Sequence, residues 1–246
     1  KMNKPIDVGL ICMRNEAEDI VGWAKESLFF CKKVVAIIDP KTKDDTEDIL
    51  LDRFPSIIIE YQDRSLGDSD NDTQGPKKEM ICHANYTKGL QRHLNDGQWT
   101  MEMAPDERLV PSQFHEILED LAMCKRDGYD GLFFPNYYTP IGDLNHVIDW
   151  YEYFLWGALK QIKFWRYNHG YMKNKPPHSN QVNWVFNPID TDASFYHFCY
   201  VKNTRIPFEG WRDIKKYKDF KQREHDNPFP DWREMPELTD QGELIE

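Results

Sequence analysis

IDVGLICMRNEAEDIVGWAKESLFFCKKVVAIID, residues 6–39, contains two apolar runs separated by one amphipathic segment. "IDVGLICM" (6–13) is an apolar run, interrupted only by Asp7, and too short for a helix, so it reads as a buried strand. "EAEDIVGWAKESLFFC" (16–31) sets Ile20, Trp23, Ala24, Ser27 and Leu28 on one face at helical spacing. "KVVAIID" (33–39) is a second, β-branched strand. Two adjacent strands joined through a helix run parallel, and a parallel sheet needs cover on both faces.

The alternation continues downstream. "DDTEDILLDRF" (44–54) predicts a helix with acidic residues at the positive end of its dipole, and "SIIIEYQ" (56–62) a third strand. The polar stretch 63–76 has loop composition, and a helix follows over 77–94. Strands are then expected at 99–104 and 129–138 around a helix at 112–127. Beyond Pro140 the pattern predicts an aromatic helix around 146–161, a strand at 162–167 and, from about Phe208, an irregular tail. Strands alternating with helices give a single three-layer α/β/α domain over 1–246, with a mainly parallel sheet. Its first half spans 6–136, its second 137–207 and its tail 208–246.

Composition narrows the partners. The chain carries a net charge of −11, which argues against a nucleic acid or an anionic membrane as main partner. An anionic small ligand needs only a few local cations. The cysteines, Cys12, Cys31, Cys82, Cys124 and Cys199, are odd in number and have no paired spacing, so free thiols in a reducing compartment are expected. No signal-peptide pattern appears, and no apolar run approaches ~18 residues. The expectation is a cytoplasmic protein with no transmembrane segment.

Ligands of open α/β sheets bind outside the carboxyl ends of the strands. The first strand ends in "RNEAED" (14–19) and the second in Asp39. The strand at 99–104 ends in Ala104-Pro105-Asp106-Glu107. Together these ends would form a polar pocket around Asn15, Glu16, Asp39 and Asp106.

The succession "VGLICMRNEAEDI", "VVAIIDPKTKDDTEDIL" and "WTMEMAPDERLVP" resembles the family 2 nucleotide-sugar glycosyltransferases of GT-A (Rossmann-like) fold. The resemblance covers roughly residues 6–136 in order and spacing, with weaker echoes in "IKFWRYN" (162–168) and "FYHFCYVK" (195–202). It implies transfer of a sugar from a nucleoside-diphosphate-sugar donor to a hydroxyl of a saccharide or glycoconjugate acceptor. It also implies a divalent cation, Mn²⁺ or Mg²⁺, bridging the donor phosphates. The family's Asp-x-Asp reads Ala104-Pro105-Asp106 here, so the first carboxylate is missing. Asp106 matches the carboxylate that ligates the metal, and His197 the late histidine that joins it. Asn15, Glu16 and Asp39 fall at nucleotide-binding positions. Lys77, Lys78, Lys163 and Arg166 are candidates for the diphosphate, Lys78 and Arg166 foremost. His178 is the candidate catalytic base, with Asp190 and Asp192 beside it.

Each assignment has an ordinary counterpart. Asp39 would serve equally as a cap, and Asn15 and Glu16 as the start of a helix. Asp106 would serve as a solvated turn carboxylate, and His197 as a core residue. Glu107 reads as structural, holding loop amides, and Arg108 as a surface or loop-pairing group. Glu102 is expected to pair with a cation or lie near a sheet margin. The "DSD" at 68–70 sits in a polar loop and is discounted as a metal motif. Trp150, Tyr151, Tyr153, Phe154 and Trp156 read first as core. Two other functions stay open: a nucleotidyltransferase-type enzyme, although "CMRNEAE" has no glycine-rich phosphate loop, and a non-catalytic carbohydrate-binding protein.

Overall fold

The computed structural model describes residues 4–67, 81–138, 146–148, 160–168, 187–198, 222–224 and 231–245. The chain runs β1 (Ile6–Met13), α1 (Ile20–Phe30), β2 (Cys31–Ile38), α2 (Thr46–Arg53), β3 (Ile58–Tyr61) and α3 (Ile81–His93). It continues through β4 (Trp99–Met101), β5 (Glu107–Leu109), a single 3-10 turn and α4 (Phe114–Asp127). The remaining described strands are β6 (Gly131–Tyr138), β7 (His146–Ile148), β8 (Lys160–Arg166), β9 (Pro188–Asp190), β10 (Phe195–His197) and β11 (Gln222–Glu224).

Nine of these strands form one sheet in the order β3-β2-β1-β4-β8-β6-β10-β5, with β9 beside β6. β1, β2, β3 and β4 are parallel, and β6 is parallel to both β9 and β10. Only β8 and β5 run against their neighbours. The sheet is therefore mostly parallel and Rossmann-like. Its order reverses between β1 and β4, and such a switch point opens a crevice at the carboxyl ends of the two strands.

Strand alternation divides the core between the two faces of the sheet. Val34, Ala36 and Ile38 of β2 pack with Trp23 of α1, Leu50 of α2 and Phe114 of α4. Val35 and Ile37 face the other way, toward Tyr86 and Leu90 of α3. Close approach is built in at Gly89, where a Cβ would come within 2.7 Å of Ile37 and 2.9 Å of Leu10.

Several sequence expectations are corrected. The helix expected around 146–161 is a strand at both described ends, since β7 pairs with β11 and β8 already begins at Lys160. The strand expected over 99–104 stops at Met101, and β5 forms beyond it. α1 is buried on every side rather than along one stripe, Lys25 and Glu26 included. The described tail explains this: Lys25 Nζ donates to the carbonyls of Glu234 (2.7 Å) and Met235 (3.4 Å), and Trp232, Met235 and Leu238 are buried. Cys12, Cys31, Cys82 and Cys124 are free thiols, as expected, and Cys199 lies outside the described residues. Among the described residues no helix is long and apolar enough to cross a membrane.

Candidate functional site

The chain leaves β4 at Met101, turns through residues 102–106 and re-enters the sheet as β5. β5 runs antiparallel to β10 with His197 opposite Glu107, and the Phe198 N–H donates to the Asp106 carbonyl at 2.8 Å. This register brings Asp106 and His197 together, with Oδ1 and Nε2 3.5 Å apart. The carboxylate side chain is 1 % exposed and the imidazole 20 %, so the pair sits at the floor of the surface with its histidine reachable.

The neighbours of Asp106 are buried as well. Glu107 is gripped by Lys163, whose Nζ lies 2.7 Å from both carboxylate oxygens, and it accepts the Ala104 N–H at 2.8 Å. It holds a loop amide, as expected. Lys163 Nζ also lies 4.5 Å from the centre of the Phe195 ring. Arg108 pairs with the loop, one of its two expected roles, but is fully buried rather than at the surface and spends its guanidinium on backbone. Nε donates to the Trp232 carbonyl, Nη1 to those of Pro105 and Glu107, and Nη2 to that of Asp19, at 2.5–2.9 Å. Glu102 is bonded by the Tyr86 hydroxyl at 2.8 Å, and β4 lies inside the sheet rather than at its margin.

Glu26 of α1 faces this cluster and accepts the Leu109 N–H at 2.9 Å. Burial pushes its carboxyl up to about 8, against the pull of Arg108 and of that N–H. An unfolded chain ionises the group near 4.5, so the fold holds the extra proton between the two values. Stability therefore falls as pH rises from about 4.5 to about 8. Glu26→Gln keeps an acceptor for Leu109 and should flatten that slope. Unfolding free energies from urea melts near pH 5 and pH 8.5 should differ less in the variant, by an amount on the order of 4 kcal/mol. An unchanged slope would show that another group sets the pH dependence.

Asn15, Glu16 and Asp39 gather at the carboxyl ends of β1 and β2. Asn15 adopts a left-handed conformation (φ 56°), and its Oδ1 accepts the Lys43 N–H at 2.8 Å. The Glu16 N–H donates to Thr46 Oγ1 at 2.8 Å, and its carbonyl accepts the N–H groups of Asp19 and Ile20 as α1 begins. Asp39 is no helix cap. It takes the Lys41 N–H at 2.9 Å, both oxygens lie within 2.8 Å of Arg64 Nη1, and Arg14 approaches to 3.5 Å. Burial alone would raise its carboxyl, but Lys41, Arg64 and Arg14 hold it below the usual range. Arg14 and Arg64 went unassigned in the sequence; Arg64's one signal is its place just after β3.

Other expected members fall elsewhere. Arg166 pairs with Trp99, at the amino end of the parallel strands. It lines a shallow hollow of about 340 Å³ with Asp7, Trp99, Lys125 and Tyr129, away from Asp106. The cation that β8 delivers to the carboxyl end is Lys163. Asp190 pairs with Phe133 and His197 with Tyr138, five residues further along β6, roughly 16 Å apart. Asp192 follows Thr191, which bonds Asp120 of α4. His178, Lys77, Lys78, the 68–70 "DSD" and the aromatic set Trp150, Tyr151, Tyr153, Phe154 and Trp156 lie outside the described residues.

Among the described residues no three or more His, Cys, Asp or Glu side chains cluster as a metal site. Asp106 and His197 nonetheless form a donor set suited to a divalent cation. Donors 3.5 Å apart can both sit ~2.1 Å from one ion, and a cation that keeps its waters needs few protein ligands.

No family model and no curated protein sequence matches the chain. Three solved structures are similar at the level of the chain trace. A 4-diphosphocytidyl-2C-methyl-D-erythritol synthase is 10 % identical with TM-score 0.45, over 87 % of this chain and 99 % of its own. An inositol-1-phosphate CTP transferase from T. maritima is 8 % identical with TM-score 0.41, over 89 % and 98 %. A UDP-glucose pyrophosphorylase complexed with UDP-glucose is 10 % identical with TM-score 0.32, over 93 % and 96 %. Likeness this slight carries no weight for the activity.

Proposed function

We propose that this chain is a divalent-metal-dependent transferase acting on a nucleotide-activated substrate, with sugar transfer from a nucleoside-diphosphate-sugar as its reaction. The observation that carries the reading is the Asp106–His197 pair, 3.5 Å apart beyond the carboxyl ends of the sheet. Asp106 and His197 would hold the cation, which when bound would neutralise charge on the departing diphosphate. Asn15, Glu16 and Asp39 line the nucleotide side, with Arg14 and Arg64 flanking Asp39 as cations for phosphate. Lys78 is retained as a phosphate partner, and Arg166 is not.

In the transfer, an acceptor hydroxyl oxygen bonds to the anomeric carbon while the bond from that carbon to the phosphate oxygen breaks. The electron pair leaves with the diphosphate, and a base takes the hydroxyl proton. His178 is our candidate for that base, since Asp190 lies far along β6 from the pair.

Nucleotidyl transfer is the second reading. It would use the same strand ends, but the segment after β1, Arg14 to Asp19, is acidic and has no glycine for a phosphate cradle. Product analysis separates the readings. Incubation with a panel of nucleotide sugars and Mn²⁺ should release nucleoside diphosphate. Consumption of a nucleotide sugar and pyrophosphate to give nucleoside triphosphate would establish nucleotidyl transfer instead. Mn²⁺-dependent binding with no turnover of any donor would mark a non-catalytic protein.

A further inference from the structure

We infer that Trp232, in the C-terminal segment, is a positioning residue for the Asp106–His197 pair, an inference that rests on the metal-site reading above. The indole stacks on Phe198, with ring centroids 4.1 Å apart and planes at 7°. Phe198 follows His197 directly, and its N–H fixes the Asp106 carbonyl at 2.8 Å. Trp232 also meets Arg108, whose guanidinium carbon lies 5.4 Å from the ring centre. Arg108 takes the Trp232 carbonyl on Nε while Nη1 holds the carbonyls of Pro105 and Glu107, the two residues that flank Asp106. Trp232 thus touches both arms of the pair: the strand end carrying His197 and the turn carrying Asp106.

The segment is itself anchored to α1 and to the turn that precedes it. Arg233 reaches Asp19 at 3.2 Å and Glu18 at 3.1 Å, and Lys25 holds the carbonyls of Glu234 and Met235. Gly22 leaves the space for this packing, since a Cβ there would come within 2.5 Å of Arg108 Nε and 2.6 Å of the Trp232 carbonyl. A buried planar stack fixes orientation as well as area, which suits a group that aims a ligand.

Two measurements test the role. In calorimetric titration with Mn²⁺, Trp232→Leu, which keeps apolar volume but loses the plane, should bind about 10-fold or more weakly, while Trp232→Phe should stay within about 3-fold of wild type. A folded Leu variant with wild-type Mn²⁺ affinity overturns the inference. Hydrogen exchange on the unaltered chain supplies the second measurement and needs no variant to fold. By reciprocity of coupling, Mn²⁺ should slow exchange in 231–235 with the same midpoint as in 104–108 and 195–198. Protection at 104–108 and 195–198 without any at 231–235 refutes the positioning role and leaves the metal site standing. No Mn²⁺ response at 104–108 or 195–198 refutes the metal site itself, and this inference with it.

Discussion

Arg108→Met should lower the unfolding free energy by about 3–5 kcal/mol, a loss read from the urea midpoint at constant m-value. The side chain is fully buried, and its nitrogens serve the carbonyls of Asp19, Pro105, Glu107 and Trp232. Methionine fills much of the same space and supplies no donor, so four buried carbonyls lose a partner at once. The charge balance fails too, because Arg108 opposes the burial that raises Glu26 and lies near Asp19, Asp106 and Glu107. Without it the Glu26 carboxyl should move further up, and the fall of stability with pH should extend above about 8. Arg108→Lys keeps the charge, but one ammonium cannot reach carbonyls spread around a planar fork. It should fall between wild type and Arg108→Met. A loss below about 1 kcal/mol in Arg108→Met would mean that the carbonyls find other donors on relaxation.

This dependence could not be read along the chain. Asp106, Glu107 and Arg108 look like a solvated turn because charged residues are costly to bury singly. Their partners are remote: Lys163 lies 56 residues from Glu107, Glu26 lies 83 from Leu109, and Trp232 lies 124 from Arg108. For the same reason β5 carried no periodic signal, since it is a strand by virtue of its pairing with β10. β1, α1 and β2 were legible because their own apolar residues fix both type and direction. The polar side of α1 misled, as its cover comes from residues 231–245 over Lys25 and from β5 over Glu26. The helix expected around 146–161 gives way at its described ends to β7, which finds its partner in β11, and to β8. At the site, the resemblance in residue order pointed to Asp106 and His197, which the structure brings together. It also pointed to Arg166, one strand neighbour at the wrong end. Within the "IKFWRYN" stretch only the antiparallel direction of β8 decides whether Lys163 or Arg166 meets the carboxyl ends.

Asp106→Asn should abolish the Mn²⁺-dependent part of nucleoside-diphosphate binding, a weakening of about 10-fold or more in calorimetric titration. The substitution keeps volume and shape at a side chain only 1 % exposed, so it removes charge without opening a cavity. Binding measured in chelator should change little, because Asn15, Glu16 and Asp39 are untouched. His197→Ala should shift Mn²⁺ affinity in the same direction and by less, since a carboxylate holds a hard cation more firmly than an imidazole. Ala104→Asp runs the other way. It restores the carboxylate that the resemblance lacks, two residues before Asp106, and should tighten Mn²⁺ binding if that turn faces the cation. The rival account is a plain ion pair, in which His197 carries a proton and Asp106 answers it. In that case Asp106→Asn costs stability and leaves Mn²⁺-dependent nucleotide affinity at the wild-type value. The two accounts therefore part on one titration: removal of a single negative charge changes affinity for the cation, or it changes only the stability of the fold.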